Sequence, residues 1–246
     1  MFEFNNYDGF AEIYDTITTP EFKTSVSFFK KFAKKANGKK LLELGCGTGK
    51  YSVRFAKLKY DVTAIDLSEK MLEIARHKAK QEKAKINFLQ KDFVDLDFYE
   101  KCDIAVSFDS LNHVLSKIEM EKVLSNCFNS LKNGGIFVFD YMTPKNFSNK
   151  NKFGGYGGKA GEKYFIWEDF CEKNSWFLEL TVFEKKKQNE NQYLKKVENI
   201  YGYTMPLKSL KKLLEKAGFS EVMVFGENGK SRPNKNSEFW YFTAKK

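Results

Sequence analysis

The sequence contains few cysteines and no long apolar run, and each absence excludes a class of protein. Its four cysteines, at positions 46, 102, 127 and 171, are scattered without a CxxC pair, which argues against a disulfide framework or a zinc site. No apolar run approaches the ~20 residues that a membrane-spanning helix needs. The first residues also lack the basic-then-apolar order of a signal peptide. We therefore expect a cytoplasmic protein with no membrane segment, and no metal site is predicted.

Arginine and histidine are also scarce, although the chain is strongly basic. Its formal net charge is +10, and all but three of its 42 basic residues are lysines. Two interpretations stay open, a lysine-rich surface without a specific role and an electropositive site for an anionic substrate. An RNA-binding face ranks behind both. With 246 residues, 42% of them hydrophobic, the chain has the size of one globular domain.

The segment 41–49, LLELGCGTG, is the most informative part of the chain. It predicts an apolar strand that ends on an acid, a glycine-rich turn, and a helix over 50–59. Glycines let the backbone approach a ligand closely, and the amides of the first helical turn then face the negative end of that ligand. A nicotinamide- or flavin-binding loop of the G-x-G-x-x-G/A type would need a small residue where this chain has Lys50.

Further strands follow, and the second one ends on an acid. Asp66 closes the predicted strand 61–66 and lies seventeen residues beyond Gly49, where a βαβ unit places a carboxylate against a ribose diol. Ser68 is expected to cap the next helix. The remaining predicted core elements are strands 86–89, 103–108 and 135–140 and a helix at 117–131.

An E-x-G-x-G-x-G turn followed by these acids resembles motif I of the class I S-adenosylmethionine (SAM)-dependent methyltransferases, closely over residues 10–141 and more loosely in the C-terminal quarter. The resemblance implies a Rossmann-like methyltransferase core, a doubly wound α/β fold with a seven-stranded, mostly parallel sheet, and SAM as the cofactor. It also implies an adenine pocket in which Asp92 accepts from the exocyclic amine and Phe93 covers the ring. The cofactor-binding residues it implies are Tyr14, Glu43, Gly45, Cys46, Gly47, Gly49, Asp66, Leu67, Met71, Asp92, Phe93 and Ser107.

Residues 142–205 leave the predicted core at the edge where ligands of an open parallel sheet bind. We expect one methyltransferase domain over 1–246, in which 142–205 is an antiparallel β insertion. The insertion could serve as a lid, as a homodimer surface, or as a sheet extension without catalytic contact. Within it, a mobile Gly-, Asn- and Lys-rich run is expected over 146–161, strands over 163–170, 175–186 and 192–203, and a hairpin tip over 185–191.

The C-terminal part should complete the sheet. A helix is predicted over 206–217, with Pro206 at its first position and Gly218 just past its end. Segment 219–225 should form a parallel sixth strand and 238–243 an antiparallel last strand. The loop between them should project from the ligand edge, where Arg232 could clamp a phosphate or carboxylate. A solvated loop charge is the equal alternative.

Two histidines occur, and their settings differ. His77 lies on a charged helix face, whereas His113 follows the fourth strand at the expected ligand edge. There an imidazole could take a proton from a substrate hydroxyl or ammonium, or it could cap the next helix. The Tyr14-Asp15 pair and the S-L-N-H run that ends at His113 also resemble small-molecule methyltransferases, including the nucleotide-sugar N,N-dimethyltransferases and the glycine N-methyltransferase group. In these enzymes the tyrosine closes over the cofactor, so the implied catalytic residues are His113 and Tyr14.

The expected acceptor is a small molecule, anionic or nucleotide-linked and thus phosphate-bearing, with O- and N-methylation both open. Nucleic acid is disfavoured because neither a [DNS]-P-P-[FYW] motif nor a nucleophilic cysteine follows the fourth strand. The alternatives are a SAM-binding protein without transfer activity, acting as a sensor or assembly partner, and an RNA methyltransferase. The residues expected to face the acceptor are Tyr7, Phe108, His113, Trp167 and Arg232.

Overall fold

The computed structural model describes residues 7–18, 22–96, 100–186 and 189–246. Along the chain its elements are α1 (Tyr14–Ile17), α2 (Phe22–Ala33), β1 (Lys40–Leu44), α3 (Lys50–Lys57), β2 (Asp61–Asp66), α4 (Glu69–Gln81), β3 (Ile86–Gln90), β4 (Cys102–Ser107), a 3₁₀ turn (Leu111–His113), α5 (Lys117–Ser130), β5 (Leu131–Met142), α6 (Pro144–Phe153), β6 (Gly155–Ala160), β7 (Lys163–Glu172), β8 (Ser175–Lys186), β9 (Asn189–Tyr203), α7 (Leu207–Lys216), β10 (Ser220–Phe225) and β11 (Phe239–Lys245). None of the helices in these ranges combines the length and apolar character that a membrane span requires.

The described residues form a seven-stranded sheet in the order β10-β11-β5-β4-β1-β2-β3. The five strands from β5 to β3 are parallel, and β11 is antiparallel to both of its neighbours. The strand β10 therefore runs in the same direction as β5. The predicted doubly wound, mostly parallel α/β sheet with an antiparallel last strand is confirmed.

The central strand β1 is buried from Leu41 to Leu44 because both faces of the sheet are covered. Leu42 and Leu44 pack into a core cluster with α5 and α7, whereas Leu41 packs on the other face with phenylalanines of α2 and α3. Because β5, β4, β1, β2 and β3 are parallel, their carboxyl ends all lie at the same edge of the sheet. Caps fix the helices that follow: the Ser68 side chain accepts from the Met71 amide, as predicted for the start of α4.

A second, four-stranded antiparallel sheet follows in the order β6-β7-β8-β9. One of its faces packs against the N-terminal segment (residues 7–17) and α6 through a cluster that includes Phe10, Phe147 and Leu178. Strands β7, β8 and β9 lie where the sequence predicts strands. The predicted hairpin tip over 185–191 lies partly outside the described residues.

The run over 146–161, expected to be mobile, contains regular secondary structure, α6 and β6. The Thr143 hydroxyl caps α6 by accepting from the amides of Lys145 and Asn146, and Pro144 begins the helix. The glycines that indicated a loop serve strand pairing instead: a Cβ at Gly155 would lie 2.7 Å from the Trp167 carbonyl oxygen. Composition alone does not distinguish this close strand approach from a flexible segment.

The boundaries of α7 differ slightly from the prediction. Pro206 is the N-cap residue and the helix begins at Leu207, one position later than expected. Gly218 does follow the helix with a φ of +104°, a conformation that favours glycine.

Candidate active site

A cavity of about 960 Å³ opens at the carboxyl ends of the parallel strands. Its wall has three sources: the strand ends and glycine turn of the main sheet, the N-terminal segment, and one end of the second sheet. The cavity therefore lies where ligands of open α/β sheets bind.

The three glycines of the turn after β1 have different tasks, although all three have positive φ. A Cβ at Gly45 would lie 2.6 Å from the Ser110 side chain, and one at Gly49 would lie 2.8 Å from Ala75 Cβ. These two glycines permit close packing. A Cβ at Gly47 would meet nothing within 4 Å, and Gly47 lines the cavity. Gly47 is thus the glycine that leaves room for a ligand.

Asp66 is held in place at the cavity wall by backbone amides. One carboxylate oxygen accepts from the Gly47 amide at 2.7 Å and the other from the Ser68 amide at 3.0 Å. Burial nevertheless raises the pKa of Asp66, against the effect of these bonds. Leu67 and Met71 line the wall beside it. The fixed carboxylate suits a diol, which needs a preorganised acceptor.

Asp92 and Phe93, which follow β3, also line the cavity. One Asp92 oxygen accepts from the Val94 amide at 2.8 Å, which fixes the orientation of the carboxylate. Along the sheet edge, the cavity wall contains Asp92 and the Phe93 ring after β3, Asp66 at the end of β2 and Gly47 after β1. This sequence of groups fits the adenine, the ribose and the remainder of a SAM molecule.

Four residues predicted to bind the cofactor do not line the cavity, namely Glu43, Cys46, Gly49 and Ser107. Glu43 is buried, accepts from the Ser52 hydroxyl at 2.5 Å, and has its pKa raised to about 8 by burial. The Ser107 hydroxyl donates to the Leu44 carbonyl at 3.1 Å. Glu43 and Ser107 therefore support the glycine turn from behind.

The N-terminal segment crosses above the glycine turn and brings Tyr7 and Tyr14 into the cavity wall. Asp8 accepts from the Ser68 hydroxyl at 2.6 Å, and Asp15 accepts from the Thr48 hydroxyl at 2.8 Å. Both bonds tie the segment to the cofactor end of the cavity. Tyr14 thus lies in the position that a closing tyrosine would occupy.

His113 is bonded on both ring nitrogens. Its Nδ1 lies 3.1 Å from the Tyr201 carbonyl oxygen and its Nε2 lies 2.7 Å from the Tyr7 hydroxyl. Because a carbonyl only accepts, Nδ1 carries the proton, and Nε2 then accepts from Tyr7. Burial lowers the pKa of His113 to about 4, so the imidazole is neutral at physiological pH and is a weak base. His113 therefore orients the Tyr7 hydroxyl by accepting its hydrogen bond.

Asp109 was not assigned a role from the sequence, yet it lines the cavity two residues after the end of β4. Its φ is +54°, and its amide donates to Asp140 at 2.7 Å. Burial raises the pKa of Asp109 to about 6 and, with the Asp109 charge, that of Asp140 to about 8. The rule that identified Asp66, an acid at a strand's carboxyl end, also applies to Asp109.

Three residues expected to face the acceptor lie elsewhere. Phe108 packs in the core against Tyr51. Trp167 stacks on Tyr156 with its ring nitrogen bonded to Asp169. Arg232 is exposed and does not line the cavity. Its loop follows β10, four strands from β1 in the sheet, which is about 19 Å at roughly 4.8 Å per strand.

The second sheet contributes other aromatic residues to the cavity wall, chiefly Trp176 and Tyr201. Trp176 is buried, and its ring nitrogen donates to Asp169 at 2.6 Å. A Cβ at Gly202 would lie 2.6 Å from the Trp176 ring, so this glycine makes room for the indole. The sequence contains two tryptophans in the insertion and no signal that tells which one reaches the cavity.

Comparisons with known proteins agree with this geometry. Residues 41–135 match the family model described as a methyltransferase domain. A methyltransferase relative from Geobacillus sp. (strain WCH70) is 30% identical over 98% of this chain and 99% of its own length. The glycine/sarcosine N-methyltransferase of Aphanothece halophytica is 24% identical over 98% of this chain and 90% of its own.

A solved structure supports the fold. The S-adenosylmethionine-dependent methyltransferase from Clostridium acetobutylicum ATCC 824 aligns with a TM-score of 0.82 and 22% identity over 97% of this chain and 98% of that one. The family model and the relative at 30% identity confirm the predicted enzyme class and, with it, SAM as the cofactor. The chain belongs to the class I SAM-dependent methyltransferases.

Proposed function

We propose that this enzyme methylates the nitrogen of a small amine that arrives as a cation. The charge of the cavity carries this proposal. The described lining includes no lysine or arginine, and its acidic members are Asp66, Asp92, Asp95, Asp109, Glu119 and Glu172. A cavity of this composition attracts cations and disfavours phosphates. The described lining therefore offers no lysine or arginine to an anionic acceptor. The charge of Lys150 does act on Asp109 and His113. Its ammonium, however, lies over the Trp176 ring and pairs with Asp169 at 3.7 Å.

Several of these acids already have partners or serve the cofactor. Asp66 and Asp92 lie at the nucleoside end, and Asp95 pairs with Lys122. Glu119 accepts from the Leu115 amide at 3.1 Å at the start of α5. Asp109 remains, together with Glu172 on the second sheet. The Asp109 charge acts on Tyr7, and the pKa of Asp109 stays raised although the Lys150 charge acts to lower it. We assign Asp109 as the group that meets the ammonium of the acceptor.

The residues near Asp109 can prepare a nitrogen nucleophile. When bound, SAM supplies a methyl group activated by its sulfonium. The acceptor nitrogen needs a free lone pair, so its ammonium must first lose one proton. With a pKa of about 6, Asp109 is a carboxylate at neutral pH, binds the cation and can accept that proton. The Tyr7 oxygen, whose hydrogen points to His113, keeps lone pairs for a remaining N–H of the acceptor.

One relative supports transfer to nitrogen. The Aphanothece halophytica protein is named for N-methylation of glycine and sarcosine, and it aligns with nearly the whole of this chain. We further propose that residues 1–246 act as one domain, in which the insertion 142–205 forms the acceptor-side wall through Trp176 and Tyr201.

The test is turnover of methyl-labelled SAM with matched acceptors: primary amines, alcohols, and the phosphate esters of those alcohols. We expect label in N-methyl products, identified by mass spectrometry, with a rate that rises with pH through about 6. Faster methylation of the phosphate esters or of oxygen would contradict the amine assignment. SAM binding without turnover on any amine would also count against it.

A further inference from the structure

Three aromatic side chains form a row across the second sheet, beside the cavity. Phe170 on β7 pairs with Phe177 on β8, which pairs with Tyr201 on β9. The ring centroids lie 5.7 Å and 5.2 Å apart along the row. All three residues line the cavity, so the row continues the acceptor-side wall outward.

The row is open to solvent where it meets the cavity mouth. Phe170 is 50% exposed, and Phe177 and Tyr201 are only partly buried. An exposed group of aromatic rings that borders a cavity indicates a binding surface. Glu172 lies two positions beyond Phe170, on the same face of β7, and also lines the cavity. Aromatic faces beside a carboxylate favour an apolar body that carries a positive charge.

Tyr201 connects this surface to the reacting centre. Its ring belongs to the row, and its carbonyl oxygen accepts from His113 Nδ1 at 3.1 Å. His113 in turn orients the Tyr7 hydroxyl. A ligand that contacts the Tyr201 ring is therefore separated from the Tyr7 hydroxyl, which meets the acceptor nitrogen, by a single residue, His113.

We propose that the row of Phe170, Phe177 and Tyr201 binds an aromatic or other apolar body of the acceptor while its amine reaches Asp109. This proposal rests on the amine function proposed above and adds the chemical class of the remainder of the molecule. The occupant is the acceptor because the row is continuous with the cavity. The same face also bears Tyr164 and Ile166 farther along β7, which do not line the cavity.

The test separates ring from charge with four probes: 2-phenylethylamine, ethylamine, phenylacetate and acetate. Their dissociation constants are measured by ligand-observed NMR on the full chain saturated with S-adenosylhomocysteine. We expect 2-phenylethylamine to bind at least tenfold tighter than ethylamine. Phe170→Ala should reduce this ring advantage at least fivefold. Tyr164→Ala is the matched control, since it removes a half-exposed ring from the same face and strand, and it should leave the advantage intact.

The outcomes distinguish the two proposals. If phenylacetate binds better than 2-phenylethylamine and Phe170→Ala still removes the ring advantage, the amine assignment fails and the row stands. Equal binding of 2-phenylethylamine and ethylamine overturns the row, as does an equal loss in Tyr164→Ala or no binding by any probe. A change of oligomeric state in Phe170→Ala at constant ring preference would make the row a contact between copies and overturn the proposal. Phe170→Leu, which keeps apolar volume, provides the second variant should the alanine variant not fold.

Discussion

The two ends of the cavity are held together over very different distances along the chain. At the cofactor end, Asp66 bonds to Gly47, 19 residues away. At the acceptor end, Tyr7 bonds to His113 over 106 residues, and His113 bonds to Tyr201 over 88. The contact between Asp66 and the glycine turn at the cofactor end is thus a local product of two strands and a turn. The acceptor end exists only once the N-terminal segment and the second sheet have docked, so the two ends should respond differently to mutation.

The largest effect is expected at the acceptor end, from Asp109→Asn. The amide keeps the size of the side chain but cannot balance a cation or accept its proton. We expect kcat/KM for an amine acceptor to fall about 100-fold, the usual contribution of a general base. In the wild type, kcat/KM should rise with pH through about 6, where Asp109 ionises. This rise of kcat/KM with pH should be absent in the variant. If the variant still shows it, the titrating group is not Asp109.

A smaller effect is expected at the joint between the two sheets, from Asn112→Ala. The Asn112 amide donates to the carbonyls of Met142 and Tyr203 and accepts from the Met142 amide. Its loss removes the acceptor of the Met142 amide and one donor to each carbonyl, and the carbonyls keep the hydroxyls of Thr204 and Tyr141 as donors. We therefore expect the free energy of unfolding to drop by ~2 kcal/mol. Hydrogen exchange should show more opening in β9 than in β1. Uniform acceleration in both strands would argue against two separately held ends.

At the cofactor end, Asp66→Ala should weaken SAM binding at least tenfold, or about 1.4 kcal/mol. The variant removes the fixed carboxylate and leaves the Gly47 amide without its partner. Calorimetry with SAM measures the change. Asp61→Ala, at the exposed opposite end of the same strand, is the control and should bind SAM normally. Unchanged affinity in Asp66→Ala would remove the ribose assignment.

Stability should also depend on pH through Asp140, which is buried and lines neither end of the cavity. Its pKa in the fold is about 8, against an ordinary value near 3.9 in the unfolded chain. Between these values the folded state retains a proton that the unfolded state has lost, so its contribution to stability falls as pH rises, by at most about 1.4 kcal/mol per unit. Asp140→Asn should reduce this slope in urea titrations at pH 5 to 8 while still accepting from the Asp109 amide. An unchanged slope would show that other groups dominate.

This contrast also explains what could be predicted from the sequence. The core strands, the glycine turn and Asp66 follow from local spacing, because their neighbours in space are near in the chain. The Asp92-Phe93 pair was expected by resemblance to the family. His113 was expected at the ligand edge because it follows the fourth strand, and Tyr14 was expected there by resemblance; both line the cavity. Their roles remain predictions.

The acceptor end was harder to predict for physical reasons. Whether Trp167 or Trp176 faces the cavity depends on how the second sheet docks, and strand alternation alone does not fix that. Arg232 follows a strand at the correct edge, but the position of β10 at the far end of the sheet keeps it away. The cavity wall is acidic because segments far apart in the chain bring their acids together there. The basic composition of the whole chain instead suggested an electropositive site.

The missing side chain at Gly202 has a consequence for how this enzyme could acquire new substrates. An added methyl group there would stand 2.6 Å from the Trp176 ring and 3.2 Å from the Asn112 carbonyl oxygen, so the indole would have to shift. Because the glycine turn is untouched, such a change would reshape the acceptor chamber and leave nucleoside recognition as it is. A single carbon in a segment far from the methyltransferase motif thus offers evolution, or an engineer, a way to adjust selectivity independently of the cofactor.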